Sequence, residues 1–179
     1  MERIVLGSGK LYITDWDGTT IPTDTAIEID ANLLGLIQGG ASLSYTPTYY
    51  EAKDDLGLVS KKFITEEVAI LKSGIMTFDG NTLKKLISTG SVTETATERT
   101  LKIGGALNFN EKKYVVHFVH KDVVDGDIRV TIVGSNNTGL EMAFAKDKET
   151  VVNAEFSAIP LDNTGTLIIY REEIKEPEE

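Results

Sequence analysis

The sequence contains no cysteine, which excludes a disulfide framework and any thiolate metal site. A chain made and used in a reducing cytoplasm fits that composition. No apolar run approaches the ~20 residues that a membrane-crossing helix needs. The opening Met1-Glu2-Arg3-Ile4-Val5-Leu6 is interrupted at once by Gly7-Ser8-Gly9-Lys10. A soluble protein without a secretory leader is therefore expected. Bases are scarce as well: 18 Lys and Arg stand against 28 Asp and Glu, for a net charge of −10 and a pI near 4.7. A surface that grips a duplex needs clustered Lys and Arg to neutralise phosphates, so tight nucleic-acid binding is disfavoured. Acids near DNA repel it, which suits a conduit better than a clamp. Histidine occurs twice, at 117 and 120. Three apart on a strand, His117 and His120 face opposite ways and cannot share a metal ion, so each is expected to be a surface or packing residue.

What the chain does have is short apolar segments separated by turn residues. At 179 residues with 41% hydrophobic content, it is long enough to bury a real core as one domain, spanning 1–175. Lys10 to Asp15 reads as a first strand, and Leu43 and Tyr45 alternate with Ser42 and Ser44. That period of two is the mark of a half-buried strand. Tyr114, Val116 and Phe118 line one face of a later strand, Val115 and Val119 the other. Asp125-Gly126, both tolerant of positive φ, then marks a hairpin turn before Ile128, Val130 and Ile132. Val152, Ala154, Phe156 and Ala158 form a further pair with Leu167 to Tyr170, joined by the turn Asp162-Asn163-Thr164-Gly165.

One helix is expected, over about 80–89. Phe78-Asp79-Gly80-Asn81 supplies its caps, Leu83, Leu86 and Ile87 fall on one face, and Gly90 closes it. Thr65 to Leu71 fits helix and strand equally. The charged end, 171–179, reads as a frayed acidic tail. The fold class is mainly β (α+β): an antiparallel sandwich or barrel with one short flanking helix.

Leu11-Tyr12-Ile13-Thr14-Asp15-Trp16-Asp17-Gly18-Thr19 looks like the first motif of the haloacid dehalogenase phosphatases, in which Asp15 would be the nucleophile and Asp17 the acid/base. Such a site needs the carboxyl end of a parallel sheet. Here strand follows strand through tight turns, which favours antiparallel pairing and makes Asp15 to Thr19 a strand end and turn. The stretch also fails as a calcium loop, whose glycine stands sixth and not fourth. Gly7-Ser8-Gly9-Lys10 lacks the earlier glycine of a phosphate loop. No catalytic residue, cofactor site or metal site is assigned. A carbohydrate-binding sandwich would want an aromatic platform, and Trp16 with Tyr45, Tyr49 and Tyr50 is better used in packing or at an interface.

Several segments, taken in order, resemble the tail tube proteins of phages and prophages of Gram-positive hosts. They are Gly9-Lys10-Leu11-Tyr12-Ile13, Ile21-Pro22-Thr23-Asp24, Asn32-Leu33-Leu34-Gly35, Gly39-Gly40-Ala41-Ser42-Leu43 and Glu51-Ala52-Lys53-Asp54-Asp55-Leu56-Gly57. Lys102-Ile103-Gly104-Gly105, Tyr114 to His120, Asp125 to Gly134 and Phe144 to Thr150 follow. No single piece is a chemical motif; the order carries the resemblance. It implies a β-sandwich or barrel flanked by a helix, six subunits to a ring, and rings stacked into a hollow tube that conducts DNA without gripping it. It also implies copies of the chain as main partner, with tape-measure, tail terminator and baseplate proteins as the others. The place implied is the virion tail, assembled in the host cytoplasm. Tubes of contractile tails, phage-like bacteriocins and type VI secretion share the fold, and the first two are the alternative assignments.

Beside that resemblance the residues have a physical reading. Tyr45-Thr46-Pro47-Thr48-Tyr49-Tyr50 carries a proline in a strand-like run, so this strand should be an edge or a bulged one. An exposed edge invites another chain to pair with it. Asp54, Asp55 and Leu56 would then tip a projecting β-hairpin arm from about Pro47 to Lys62, with Lys61 and Lys62 on its return limb. The expected ring–ring contact set is Pro47, Tyr49, Tyr50, Asp54, Asp55, Leu56, Lys61 and Lys62. Acidic residues are expected to face the lumen.

Overall fold

The structure is a computed structural model that describes Val5, residues 7–58 and residues 60–175. Ten strands run in the order β1 (Lys10–Asp15), β2 (Leu33–Gly35), β3 (Ile37–Lys53), β4 (Ser60–Ile75), β5 (Gly90–Glu94), β6 (Arg99–Ile103), β7 (Tyr114–His120), β8 (Ile128–Asn136), β9 (Val152–Ile159) and β10 (Ile169–Glu172). Two short helices, α1 (Asp24–Ile27) and α2 (Gly80–Lys85), interrupt them. The architecture is mainly β and antiparallel, of sandwich type, with short helices against it. Its main sheet runs β2-β1-β7-β8-β9-β4-β3, and β5 and β6 form a separate hairpin.

Strand β8 is where this sheet divides. One edge pairs with β7, and the other carries β9 over Val133–Asn136 and β10 over Ile128–Thr131. The expected pairing of Leu167–Tyr170 with the strand before it is therefore corrected. The turn at Asp162 to Gly165 forms, with Leu161 N–H donating to Thr166 O at 2.9 Å, but the chain leaving it reaches β8 and not β9. Gly134 permits the β8–β9 approach, since a Cβ there would stand 2.1 Å from the Ser157 carbonyl oxygen. Arg171 and Glu172, expected in a frayed tail, belong to β10; residues 176–179 of that tail lie outside the described residues.

Alternation along the central strands builds two cores. Leu11, Ile13, Tyr114, Val116 and Ile132 face one cluster with Leu71, Ile75 and Phe156, closed by Leu83, Leu86 and Ile87 of the α2 region. Tyr12, Val115, Val119 and Val133 face the other, closed by Ile27 of α1. Both faces of the sheet are thus apolar, which explains the nearly continuous apolar run of β7. Thr65 to Leu71 resolves as strand, within β4.

Helix α2 starts where expected and stops early. The Asp79 side chain accepts from Asn81 N and Thr82 N, each at 2.9 Å, and Arg99 pairs with the same carboxylate. Past Leu86 the sequence Ile87-Ser88-Thr89 favours other backbone states, and Asn110 N and Nδ2 satisfy the Ser88 carbonyl. Gly90 does not close the helix; it opens β5 without a positive φ. In the Asp125-Gly126 turn only Gly126 has a positive φ. Asp122 organises that connection by accepting from Val124 N and Asp125 N.

The backbone amide of Thr82, helped by Arg99, holds the Asp79 carboxyl below its ordinary value. A depressed carboxylate stabilises above the unfolded pKa and loses that contribution as pH falls through the folded one. Asp79→Ala should cost about 1 kcal/mol at neutral pH, and the gap to the unsubstituted chain should narrow progressively as pH falls below the ordinary carboxylate range. Urea denaturation over a series from about pH 7 into the acid range checks both halves.

Candidate assembly arm and other site residues

Strands β3 and β4 are 17 and 16 residues long, far beyond the usual length of a strand. Their inner parts belong to the sheet, because β9 pairs with β4 over Ile70–Ile75. From Tyr45 to Lys53 and Ser60 to Ala69, β3 and β4 pair only with each other among the described residues. Nine residues of strand project about 30 Å at 3.3 Å per residue. Tyr, Thr, Val, Ile and Phe supply nine of the ribbon's nineteen residues, the types that suit a pleated surface.

Proline at 47 is accommodated as expected, since β3 is the edge strand and a bulge follows between Thr48 and Tyr49. Thr65 is the extra residue there, and its hydroxyl donates to Thr48 O. Register assigns the predicted contact residues to two faces. Pro47, Tyr49 and Lys62 share one face with Tyr45 and Ile64, while Tyr50 and Lys61 share the other with Phe63. Asp54, Asp55 and Leu56 lie in the connecting tip, where Gly57 N donates to Asp54 O at 3.0 Å. Lys62 is engaged within its own hairpin, with Nζ 4.1 Å from the Tyr49 ring centroid. Tyr50 and Phe63 meet across the strands at 5.3 Å between centroids. The expected contact set left out Tyr45, named only among the packing or interface aromatics, and sequence reading missed Phe63, Ile64 and Leu58. Tyr45, Tyr49, Tyr50, Phe63 and Ile64 are 47–54% exposed, and Leu56 and Leu58 79%.

Asp15 ends β1 between two antiparallel neighbours, β2 and β7, and its carboxylate binds Lys112 Nζ at 2.9 Å. Asp17 caps its own turn, accepting from Thr19 N and Thr20 N at 2.9 and 3.0 Å. Those amides, Thr20 first, hold its carboxyl below the ordinary value. Both aspartates serve the backbone and a surface pair, the roles expected of a strand end.

The histidines lie on opposite faces, but neither is at the surface: His117 is 0% exposed and His120 6%. His120 Nδ1 stands 2.7 Å from Ser8 O. His117 lies beneath an ionic cluster for which the sequence holds one faint signal, the i, i+4 spacing of Asp24 and Glu28. His117 Nδ1 meets Thr131 Oγ1 at 2.7 Å. Its Nε2 points to Glu28 Oε1 at 3.5 Å and Asp24 Oδ1 at 4.0 Å. Arg129 Nε binds Glu28 at 2.6 Å, Lys121 bridges Glu28 and Asp127, and Arg171 holds Asp24. Burial pushes the His117 imidazole below its ordinary value despite the two carboxylates.

No protein-family model matches the chain, and no curated protein matches it. No helix among the described residues is long and apolar enough to cross a membrane.

Proposed function

We propose that the chain is a structural subunit of a phage tail tube, assembling into stacked hexameric rings that form a hollow conduit for DNA. The observation that carries this reading is the arm. A two-stranded ribbon about 30 Å long is marginal in water by itself. This one also exposes aromatic and aliphatic side chains on both faces. Such a ribbon is stabilised by lying against another molecule, and its outer edge has unpaired backbone groups to offer. The resemblance of the ordered segments to tail tube proteins supplies the kind of molecule: a second copy.

Pro47, Tyr49, Tyr50, Leu56, Lys61 and Lys62, with Asp54 and Asp55 at the tip, are the proposed ring–ring contacts, joined by Tyr45, Phe63, Ile64 and Leu58. Charge at the tip gives register more than affinity. The partners are copies of the chain, with tape-measure, terminator and baseplate proteins at the ends and inside. A net charge of −10 per subunit leaves the lumen negative and DNA unbound. The role is non-catalytic and the place is the virion tail.

Two experiments test this reading. Deleting residues 47–67, the ribbon beyond the Thr46–Val68 pair, and closing the gap with a short turn should leave a folded body that no longer assembles; tubes formed by the deletion variant would defeat the arm's role. A Mg²⁺-supported assay on a generic phosphomonoester should find no turnover. Activity that Asp15→Asn abolishes would instead establish the phosphatase.

A further inference from the structure

We propose that His117, Asp24 and Glu28 form a divalent transition-metal site in which the ion exchanges with surface cations. The donor atoms lie within 4.8 Å of one another, and His117 Nε2 is buried, has no hydrogen-bond partner, and points at both carboxylates. Tetrahedral ligands at ~2.1 Å from an ion stand about 3.4 Å apart, so the 3.5 Å pair needs almost no movement and the 4.0 Å pair little. One imidazole and two carboxylates suit Zn²⁺, Co²⁺ or Mn²⁺ and leave a position for water.

Support behind the imidazole is already present. A ligating histidine uses its other ring nitrogen to hold its orientation, and Nδ1 of His117 is fixed by the buried Thr131 hydroxyl. That hydroxyl donates to Nδ1 while Nε2 carries the proton, and accepts from Nδ1 once Nε2 becomes a ligand. Either tautomer is therefore satisfied.

Charge decides how an ion enters. Asp24, Glu28 and Asp127 balance Arg129, Lys121 and Arg171, so an added dication would leave an excess of two. Lys121 and Arg171 have side chains 54% and 46% exposed. Pairs of this kind contribute little, and both cations can swing into water. Their withdrawal removes two positive charges and the ion restores them, while Arg129 keeps Asp127 at 2.9 Å and stays on Glu28 Oε1 at 2.6 Å, whose other lone pair faces the ion. The site is thus a competitive one, and weaker competitors should make it tighter. Because Arg171 lies in β10, occupancy also loosens the hold of that strand on α1.

Calorimetric titration of the full chain with Zn²⁺, and Co²⁺ visible absorption, test the proposal. The expected result is one equivalent bound with a tetrahedral Co²⁺ spectrum, weakened at least about tenfold by His117→Gln and unchanged by His120→Gln. Asp24→Asn, at a position 28% exposed, should weaken it likewise if His117→Gln does not fold. Arg171→Gln should tighten binding several-fold. Absence of saturable one-equivalent binding, or the same affinity in the Asp24→Asn and Arg171→Gln variants, would overturn it.

Discussion

A chain carrying Tyr49→Ser, Tyr50→Ser and Phe63→Ser should fold normally and form no tubes. The three side chains stand about half exposed on a ribbon beyond the reach of β9, so the monomer uses little of their apolar surface. The main loss within the subunit is the Tyr50–Phe63 ring contact across the strands, for which about 1 kcal/mol is a generous figure. In the proposed assembly the same side chains would be buried anchors, each contributing about 2 kcal/mol or more. Removing all three should raise the concentration needed for assembly by at least about a thousandfold. Sedimentation across a concentration series reads the assembly, and thermal unfolding reads the body. Loss of both together would mean that the arm is part of the core and not a contact surface. Asp54→Lys with Asp55→Lys is the milder companion: unchanged tubes in that variant would remove the proposed electrostatic role of the tip while leaving the aromatic one.

Phe156→Ala should have the opposite signature, a large loss of stability from a residue no partner touches. Phe156 is fully buried in the larger core, and in register it stands between Leu71 of β4 and Asn136 of β8. Truncating a buried phenylalanine costs about 3–5 kcal/mol through lost burial and the cavity left behind. Stabilities of ordinary domains are about 5–15 kcal/mol, so this is a large share. The melting temperature should fall on the order of 10 °C for a chain of this size. Because β9 is the strand that anchors the base of the arm through β4, assembly should weaken as well. Urea denaturation measures the first effect directly; a change under 1 kcal/mol would show that this core repacks around the void.

Much of the sheet was legible because alternation is a local signal. The faces of β7 follow from Tyr114, Val116 and Phe118 against Val115 and Val119, and the two cores divide in the same way. Pro47 likewise announced an edge or a bulged strand, because a residue without an N–H cannot take part in a central ladder, and the structure has both. Pairing partners were less legible. Leu167 to Tyr170 follows a good turn, yet joins β8, because the free half of that edge at Ile128–Thr131 is a tertiary fact. The helix ran short for a local reason underweighted beside Gly90: β-branched Ile87 and Thr89 follow the apolar stripe. The buried cluster under α1 was invisible for a third reason. Its members come from α1 and its end, β7, β8, β10 and the β7–β8 connection, and of the three facing carboxylate and imidazole groups only Asp24 and Glu28 are near in sequence. The arm's two-sided character needed the register, which placed Phe63 across from Tyr50 and Ile64 across from Tyr49.

Electron microscopy of the purified chain in negative stain, at low and high concentration and alongside its mass by light scattering, tests the central claim most directly. The tube account predicts hollow rings with six-fold symmetry that lengthen into tubes as concentration rises, and a mass that climbs in multiples of six subunits. A compact monomer at every concentration, unchanged when preformed tube ends of the same tail are added as seeds, would contradict it.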